Sequence, residues 1–184
     1  MIEDKNTALV APFTSHAIEV KSMTADGHFA GYASVFDVVD SQRDRMHAGA
    51  FRQSLRARET PVKLLWQHQW ENPIGVIEQI FEDAKGLFIR GRLLMDVAKA
   101  REAYALLKAG ALRGMSIGYQ VKKSRRDPDT GVRELLEVDL WEVSIVTLPA
   151  NARANVTVVK GAQPMDELQG LIAALSQATN HLNY

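Results

Sequence analysis

The stretch Leu-Arg-Gly-Met-Ser-Ile-Gly-Tyr at residues 112–119 is the most informative part of the chain, because it lies in a strongly alternating run. Met115 and Ile117 fall on one face of the predicted strand, whereas Ser116 falls on the other face beside Gly118. A hydroxyl there is held by rigid backbone and has no bulky neighbour at the next position on its face. The pattern predicts either a nucleophile that a polypeptide substrate can reach, or a structural serine on a strand that bends at its glycines.

The composition excludes several classes of site. Lys and Arg total 22, as do Asp and Glu, so the formal net charge is zero and the chain lacks the basic excess of a dedicated nucleic-acid binder. The absence of cysteine excludes disulfides, cysteine-ligated metals and a thiol nucleophile. Without a bilayer-length apolar run or a signal-peptide pattern, we expect a soluble cytoplasmic protein that binds no membrane.

The chain divides into three parts by pattern. Residues 1–16 have no clear period and are expected to form a flexible arm, whereas residues 17–160 form the main domain. Residues 161–184 are predicted to be a linker and a C-terminal amphipathic helix, whose apolar stripe is Met165, Leu168, Leu171, Ile172 and Leu175.

Short runs of strand-like sequence dominate the main domain. Strands are predicted at residues 18–21, 29–36, 62–67, 74–82 and 87–95, around Ser116, in a long run ending near Leu148, and at 156–159. Helices are predicted around Phe51 and from Asp96, as N-cap, to Gly110. Many strands and few helices predict a mostly β fold (α+β), an antiparallel β-barrel with outer helices.

A serine nucleophile needs a base, and His68 is the best placed of the five histidines. It ends the apolar run at residues 62–67, directly after Trp66 and Gln67. A histidine at the mouth of a strand has a rigid mount and a partly dry environment, in which an imidazole titrates near neutral pH. The alternative is a packed histidine bonded to a backbone carbonyl.

A third group should orient the base, and alternation favours Glu142 for this role. In its strand, Trp141 is predicted to face the core, whereas Glu142 and Ser144 share the outer face. Glu142 therefore shares a surface with Ser116 if their strands are neighbours. Asp139, which alternation places on the opposite face, is the second choice for this role. The alternative for Glu142 is a solvated charge on the strand surface.

Several short motifs follow one another in a specific order. They lie at residues 31–36, 40–51, 64–68, 73–75, 86–87, 106–110, 114–119, 141–146 and 149–150. In this order they resemble the tailed-phage prohead maturation protease family, serine endopeptidases related in fold to the herpesvirus assemblins. The resemblance covers about residues 17–160 and implies an assemblin-like barrel, in agreement with the fold predicted from the pattern.

The resemblance also implies roles for individual residues. Ser116 would be the nucleophile and His68 the general base. The herpesvirus relatives use a second histidine as third member, but this chain has none near Glu142, so either a carboxylate serves or the site is a dyad. By analogy, backbone of the loop at 149–153, around Ala150 and Asn151, would form the oxyanion hole.

The implied function is that of a serine endopeptidase of procapsid maturation, located inside the assembling procapsid in the host cytoplasm. It would cleave scaffold protein, or a scaffold-like segment of the capsid protein, and itself. The resemblance implies no metal and no cofactor, and it leaves a homodimer open. The rival hypothesis is a non-catalytic β-barrel module of capsid assembly, in which Ser116 and His68 are structural.

Overall fold

The computed structural model describes residues 26–157. The predicted arm, the strand at 18–21, and the linker and C-terminal helix of residues 161–184 lie outside the described residues, as does the end of the strand predicted at 156–159. The proposed division of the chain into an arm, a main domain and a helical tail therefore stays a prediction.

Eight strands and two helices make up the described part of the chain. They are β1 (His28–Val35), β2 (Asp44–Met46), α1 (Arg52–Arg56), β3 (Lys63–Trp66), β4 (Gln69–Glu82), β5 (Gly86–Leu93), α2 (Ala98–Lys108), β6 (Gly114–Arg126), β7 (Arg133–Val146) and β8 (Val156–Thr157). The mostly β class with few helices, predicted from the alternating pattern, is confirmed.

All eight strands belong to one sheet. Its order is β2-β7-β3-β4-β5-β1-β8, and β6 lies off this path and pairs with β7. Strands β2 and β3 pair with different parts of β7, residues 133–135 and 142–145. Tight turns force antiparallel pairing of β4 with β5 and of β6 with β7. In the first of these turns, Asp83 accepts hydrogen bonds from the backbone N–H groups of Lys85 and Gly86, as expected of a residue that opens a turn.

The prediction of an antiparallel sheet is confirmed only in part, because β2 and β3 both run parallel to β7. Neither strand is joined to β7 by a hairpin, so no turn dictates their relative direction. Alternation in sequence reveals which face of a strand is buried, but not which distant strand lies beside it or in which sense. The sheet is therefore mixed.

The sheet curls until its far strands approach each other. Val156 N–H donates to the carbonyl of Arg113, and Met115 N–H donates to the carbonyl of Ala154. These bonds bring β8, which pairs with β1, against the beginning of β6. The curled sheet thus encloses a core, and the start of β6 lies where its ends meet.

The core consists of apolar side chains from the concave face of the sheet and from the two helices. Its most buried members include Phe51, Leu64, Ile74, Leu87, Ile89, Leu93, Met115, Leu135, Leu140, Val143 and Ile145. Helix α2 contributes Ala100, Ala103 and Leu107 from one face. Neither α1 nor α2 is long and apolar enough to cross a membrane.

The boundaries of α2 differ in one respect from the prediction. Its N-cap is Val97, in extended conformation and without a side-chain capping bond, so the assignment of Asp96 as N-cap is wrong. The helix begins one residue later than predicted, and Val97 packs against the core. At the other end Gly110 has φ +74°, a value that suits glycine, and it ends the helix as predicted.

A bulge interrupts β7 at Trp141. Gly118 pairs with Glu142 and Tyr119 pairs with Leu140, so Trp141 has no partner on β6. Leu140 is fully buried, whereas Trp141 is 42% exposed and contacts Trp70 with 6.0 Å between ring centroids. The prediction that Trp141 faces the core is wrong, because the extra residue shifts the alternation.

The bulge predicts that alanine substitutions at two neighbouring residues lower stability by different amounts. Leu140→Ala should lower the free energy of unfolding by about 2–5 kcal/mol, because it leaves a cavity in the core. Trp141→Ala should cost only about 0.5–1.5 kcal/mol, the contribution of an exposed aromatic pair. Urea denaturation of both variants tests this, and a larger loss for Trp141→Ala would refute the bulge.

Candidate active site

Ser116 lies on β6 at the wall of a cleft of about 340 Å³. Its neighbour Met115 is fully buried in the core, whereas Ser116 is 8% exposed on the opposite face. Its partner across the antiparallel pair is Ser144 of β7. The alternation of β6 thus directs the Ser116 side chain away from the core and into the cleft.

His68 lies in the two-residue turn between β3 and β4, at the same cleft. Gln67 and His68 have φ values of +51° and +60°, which are uncommon for residues other than glycine. Two successive left-handed residues are typical of the turn that best fits the twist of a hairpin. The turn moves His68 off the strand axis, and β4 begins at Gln69 rather than at the predicted Ile74.

Hydrogen bonds from β7 and the loop after it hold this turn. Gln67 N–H donates to the carbonyl of Ile145 at 3.0 Å, and His68 N–H donates to Ser144 Oγ at 3.0 Å. The side-chain amide of Gln67 donates a hydrogen bond to Thr147 Oγ1 at 2.8 Å and accepts one from Thr147 N–H at 3.2 Å. These four bonds offset the cost of the left-handed backbone.

Glu142 supplies the carboxylate behind His68. Its Oε1 lies 2.6 Å from His68 Nδ1, and its Oε2 accepts a hydrogen bond from Ser144 Oγ at 2.7 Å. Glu142 is only 2% exposed. Gly118 opposite makes room for it, since a Cβ at Gly118 would lie 2.4 Å from Glu142 Oε1. The site therefore needs glycine at this position of β6.

The carboxylate changes the proton affinity of the imidazole. Its hydrogen bond with His68 raises the histidine pKa above the ordinary value of 6.5, and its negative charge acts in the same direction. Partial burial of His68 opposes this by lowering the pKa, but the carboxylate has the larger effect. The imidazolium form is thus stabilised at the cleft.

The structure brings together three of the predicted side chains and separates a fourth. Ser116 and His68 line one cleft, and Glu142 lies behind His68 on the face that Ser116 occupies. No hydrogen bond joins Ser116 to His68. Asp139 lies elsewhere and accepts hydrogen bonds from Ser54 Oγ and Trp141 Nε1.

The loop after β7 borders the same cleft with Ala150 and Asn151. Asn151 fixes the loop, since its side chain donates to the carbonyl of Val35 at 2.8 Å and accepts from Arg153 N–H at 3.1 Å. Within residues 26–157, the N–H groups of Asn151 and Ala152 donate to no acceptor. The loop at 149–153 therefore lies at the same cleft as Ser116.

A second polar group in the cleft was not predicted. Asp44 is 3% exposed and forms a two-point ion pair with Arg133, with 2.7 Å between Arg133 Nε and Asp44 Oδ1. The Tyr119 hydroxyl donates a hydrogen bond to Asp44 at 3.2 Å. Burial of Tyr119 raises the pKa of its hydroxyl, and the negative charge of Asp44 raises it further. The pair depends on the parallel register of β2 with β7, for which the sequence carries no local signal.

Ser144 was also overlooked as a functional residue, although alternation placed it on the face of Glu142. It is fully buried and contacts both Glu142 and His68. In the part of the chain that the structure describes, His, Asp and Glu side chains form no group of three that could hold a metal ion.

Comparison with known proteins identifies relatives in phages and a fold neighbour in a herpesvirus. Residues 16–168 match the caudovirus prohead serine protease family. The prohead protease of Enterobacteria phage HK97 is 33% identical over 157 residues, which cover 82% of this chain and 69% of that protein. The capsid polyprotein of Pseudomonas phage PAJU2 is 34% identical over 106 residues, 54% of this chain and 16% of the polyprotein.

A likeness in fold extends to KSHV protease, crystallised in complex with a hexapeptide phosphonate inhibitor. The TM-score is 0.52 at 13% sequence identity, over 82% of this chain and 76% of that one. The assemblin-like fold expected from the motif order thus agrees with the structural comparison.

The His68–Glu142 contact predicts a measurable titration. An NMR titration of His68 should give a pKa above 6.5, and Glu142→Gln should lower it, because burial then acts without the compensating carboxylate. Asp139→Asn is the matched control and should leave the His68 pKa unchanged. A shift in the control but not in Glu142→Gln would refute this assignment.

Proposed function

This chain belongs to the caudovirus prohead serine protease family, and we propose that it is a serine endopeptidase that uses Ser116, His68 and Glu142. The observation that carries the proposal is the buried Glu142 carboxylate bound to His68 Nδ1 at the cleft that Ser116 lines. A nucleophile, a base and an orienting acid at one cleft are what acyl transfer by serine requires.

The hydrogen bond to Glu142 determines which nitrogen acts as the base. With Nδ1–H donated to the carboxylate, the neutral imidazole presents Nε2 as its acceptor. Nε2 takes the proton of Ser116 as Oγ attacks the scissile carbonyl, then gives it to the leaving amine. Water hydrolyses the acyl-enzyme by the same route, while Glu142 stays ionised and stabilises the imidazolium. No metal or cofactor takes part.

The oxyanion of the tetrahedral intermediate needs fixed donors near Ser116. We assign this role to the loop at 149–153, where Ala150 and Asn151 border the cleft. The N–H groups of Asn151 and Ala152 are available within the described residues, and the Asn151 side chain holds the loop on β1. Such preorganised donors stabilise the transition state without a cost of reorganisation at the moment of reaction.

The proposed setting is the assembling procapsid of a tailed phage in the host cytoplasm. The substrate would be scaffold protein, or a scaffold-like segment of the capsid protein, and the enzyme would also cleave itself. A relative that is named a capsid polyprotein supports this, because in that protein the segment that matches this chain is part of a capsid polypeptide. A homodimer is compatible with the proposal but is not required by the site.

The rival hypothesis, a non-catalytic capsid assembly module, fits the site less well. It would be favoured if Ser116 and His68 lay on opposite faces of the barrel. Instead they line one cleft, and a buried carboxylate lies behind the imidazole. Burial of Glu142 is costly, and a purely structural role would not require it to meet a titratable partner.

Ser116→Ala and His68→Ala should each lower the rate of cleavage by about 10⁴-fold or more, because either change removes the activated nucleophile. The double variant should be little worse than either single one, since both residues serve one proton transfer. The assay is incubation with the phage's own capsid or scaffold protein, with fragments mapped by mass spectrometry.

The matched control for this assay is Ser124→Ala, which removes an exposed hydroxyl from the same strand. It should cleave at the wild-type rate. Full cleavage by Ser116→Ala would refute the proposed function.

Substitution of Glu142, the proposed third member of the catalytic group, should change both the turnover rate and its pH dependence. Glu142→Gln should lower kcat by about a hundredfold or more with a smaller effect on KM, because the imidazolium loses its partner. Only neutral His68 accepts a proton, so wild-type kcat/KM should rise with pH through a pKa above 6.5. In Glu142→Gln this rise should move to lower pH.

Asp139→Asn is the control for this series, because the Asp139 carboxylate accepts a hydrogen bond from Ser54 and none from His68. It should retain the wild-type kcat and pH profile. A damaging Asp139→Asn beside a mild Glu142→Gln would contradict the assignment of the third member.

A further inference from the structure

Ser144 lies at the centre of the candidate site, although its hydroxyl forms no hydrogen bond with Ser116 Oγ or with the imidazole ring. It is the cross-strand partner of Ser116 on one side of β7 and the parallel register partner of Leu65, on β3, on the other. It is fully buried, and no substrate atom can reach it. Any role of this hydroxyl must therefore act through its neighbours.

The Ser144 hydroxyl makes two bonds of opposite sense. It accepts the backbone N–H of His68 at 3.0 Å and donates to Glu142 Oε2 at 2.7 Å. The first bond fixes the left-handed turn that carries the imidazole. The second occupies the carboxylate oxygen that His68 does not use, so that the carboxylate cannot rotate about its axis.

Each of the two bonds prevents a different loss of geometry, one at the Glu142 carboxylate and one at the His68 turn. A buried carboxylate with one oxygen unpaired pays a desolvation cost, and it can turn towards another donor. A turn residue with φ +60° can relax towards ordinary backbone geometry unless its N–H is held. A single hydroxyl prevents both, and it connects base and acid by a path separate from their direct bond.

We propose that Ser144 is a positioning residue, whose hydroxyl fixes the His68 turn and the Glu142 carboxylate relative to Ser116. This inference rests on the proposed function and extends it by a fourth residue. It makes Ser144 necessary for kcat rather than for substrate binding, since misplacement of a base affects the transition state more than the bound substrate.

The chain contains a matched control for this hydroxyl. Ser54 is also nearly buried, accepts the backbone N–H of Leu140 at 2.9 Å and donates to Asp139 at 3.2 Å. Both serines thus accept one backbone N–H and donate to one carboxylate of β7, and Ser54 also accepts a hydrogen bond from Arg58 Nη2 at 3.3 Å. Ser54→Ala therefore reproduces the loss of a buried serine of this kind at a point away from the cleft.

The test compares Ser144→Ala, Ser144→Thr and Ser54→Ala, with rates normalised to the folded fraction measured by near-UV circular dichroism. Ser144→Ala should lower kcat on the order of tenfold to a hundredfold with little change in KM. Ser54→Ala should retain the wild-type kcat, and Ser144→Thr, which keeps the hydroxyl, should recover most of the rate.

A double-mutant cycle separates positioning from a general loss of stability. In a Glu142→Gln background, Ser144→Ala should add little, because the arrangement it supports is already lost. Losses that simply multiply, or a wild-type kcat for Ser144→Ala, would overturn the proposal.

A second readout does not depend on protease activity. The NMR signal of the His68 Nδ1 proton should shift in Ser144→Ala and stay in place in Ser54→Ala. An unshifted signal in Ser144→Ala would refute the positioning role. Active Ser116→Ala would refute the proposed function, while leaving this structural result to be judged separately.

Discussion

A carboxylate that is 2% exposed must find hydrogen-bond donors inside the protein, because water cannot solvate it. Glu142 meets this constraint with His68 at one oxygen and Ser144 at the other. The geometry around it follows from that need. Gly118 lacks a side chain because any Cβ there would collide with the carboxylate, and the hairpin carrying His68 must bend towards β7.

The parallel pairing of β3 with β7 makes this bend possible. It aligns Leu65 with Ser144 and Trp66 with Ile145, so that the turn after β3 begins beside β7, and His68 then bonds to Ser144 and Glu142. The turn then adopts two left-handed residues, and bonds from Gln67 to Ile145 and Thr147 stabilise it. The left-handed backbone of the turn that carries His68 is thus stabilised by contacts of its neighbours.

Alternation along β6 and β7 was sufficient to predict that Ser116 and Glu142 share a face, and it also predicted part of the core. Ser116 and Glu142 lie on one face because both strands keep a period of two around the pair. Alternation failed at Trp141, where a bulge adds a residue, and it could not reveal the parallel strands. Gln-His is not a typical two-residue turn, so β4 was predicted to begin too late; only contacts with distant β7 make this turn favourable.

The outward bulge also has an optical consequence. The chain contains three tryptophans, and all lie around the His68 hairpin: Trp66 before it, Trp70 after it and Trp141 beside Glu142. Trp70 and Trp141 are close enough to exchange excitation energy, with 6.0 Å between their rings. The intrinsic tryptophan fluorescence of the protein therefore originates around the His68 hairpin. Movements of this hairpin can be followed in real time without an attached dye.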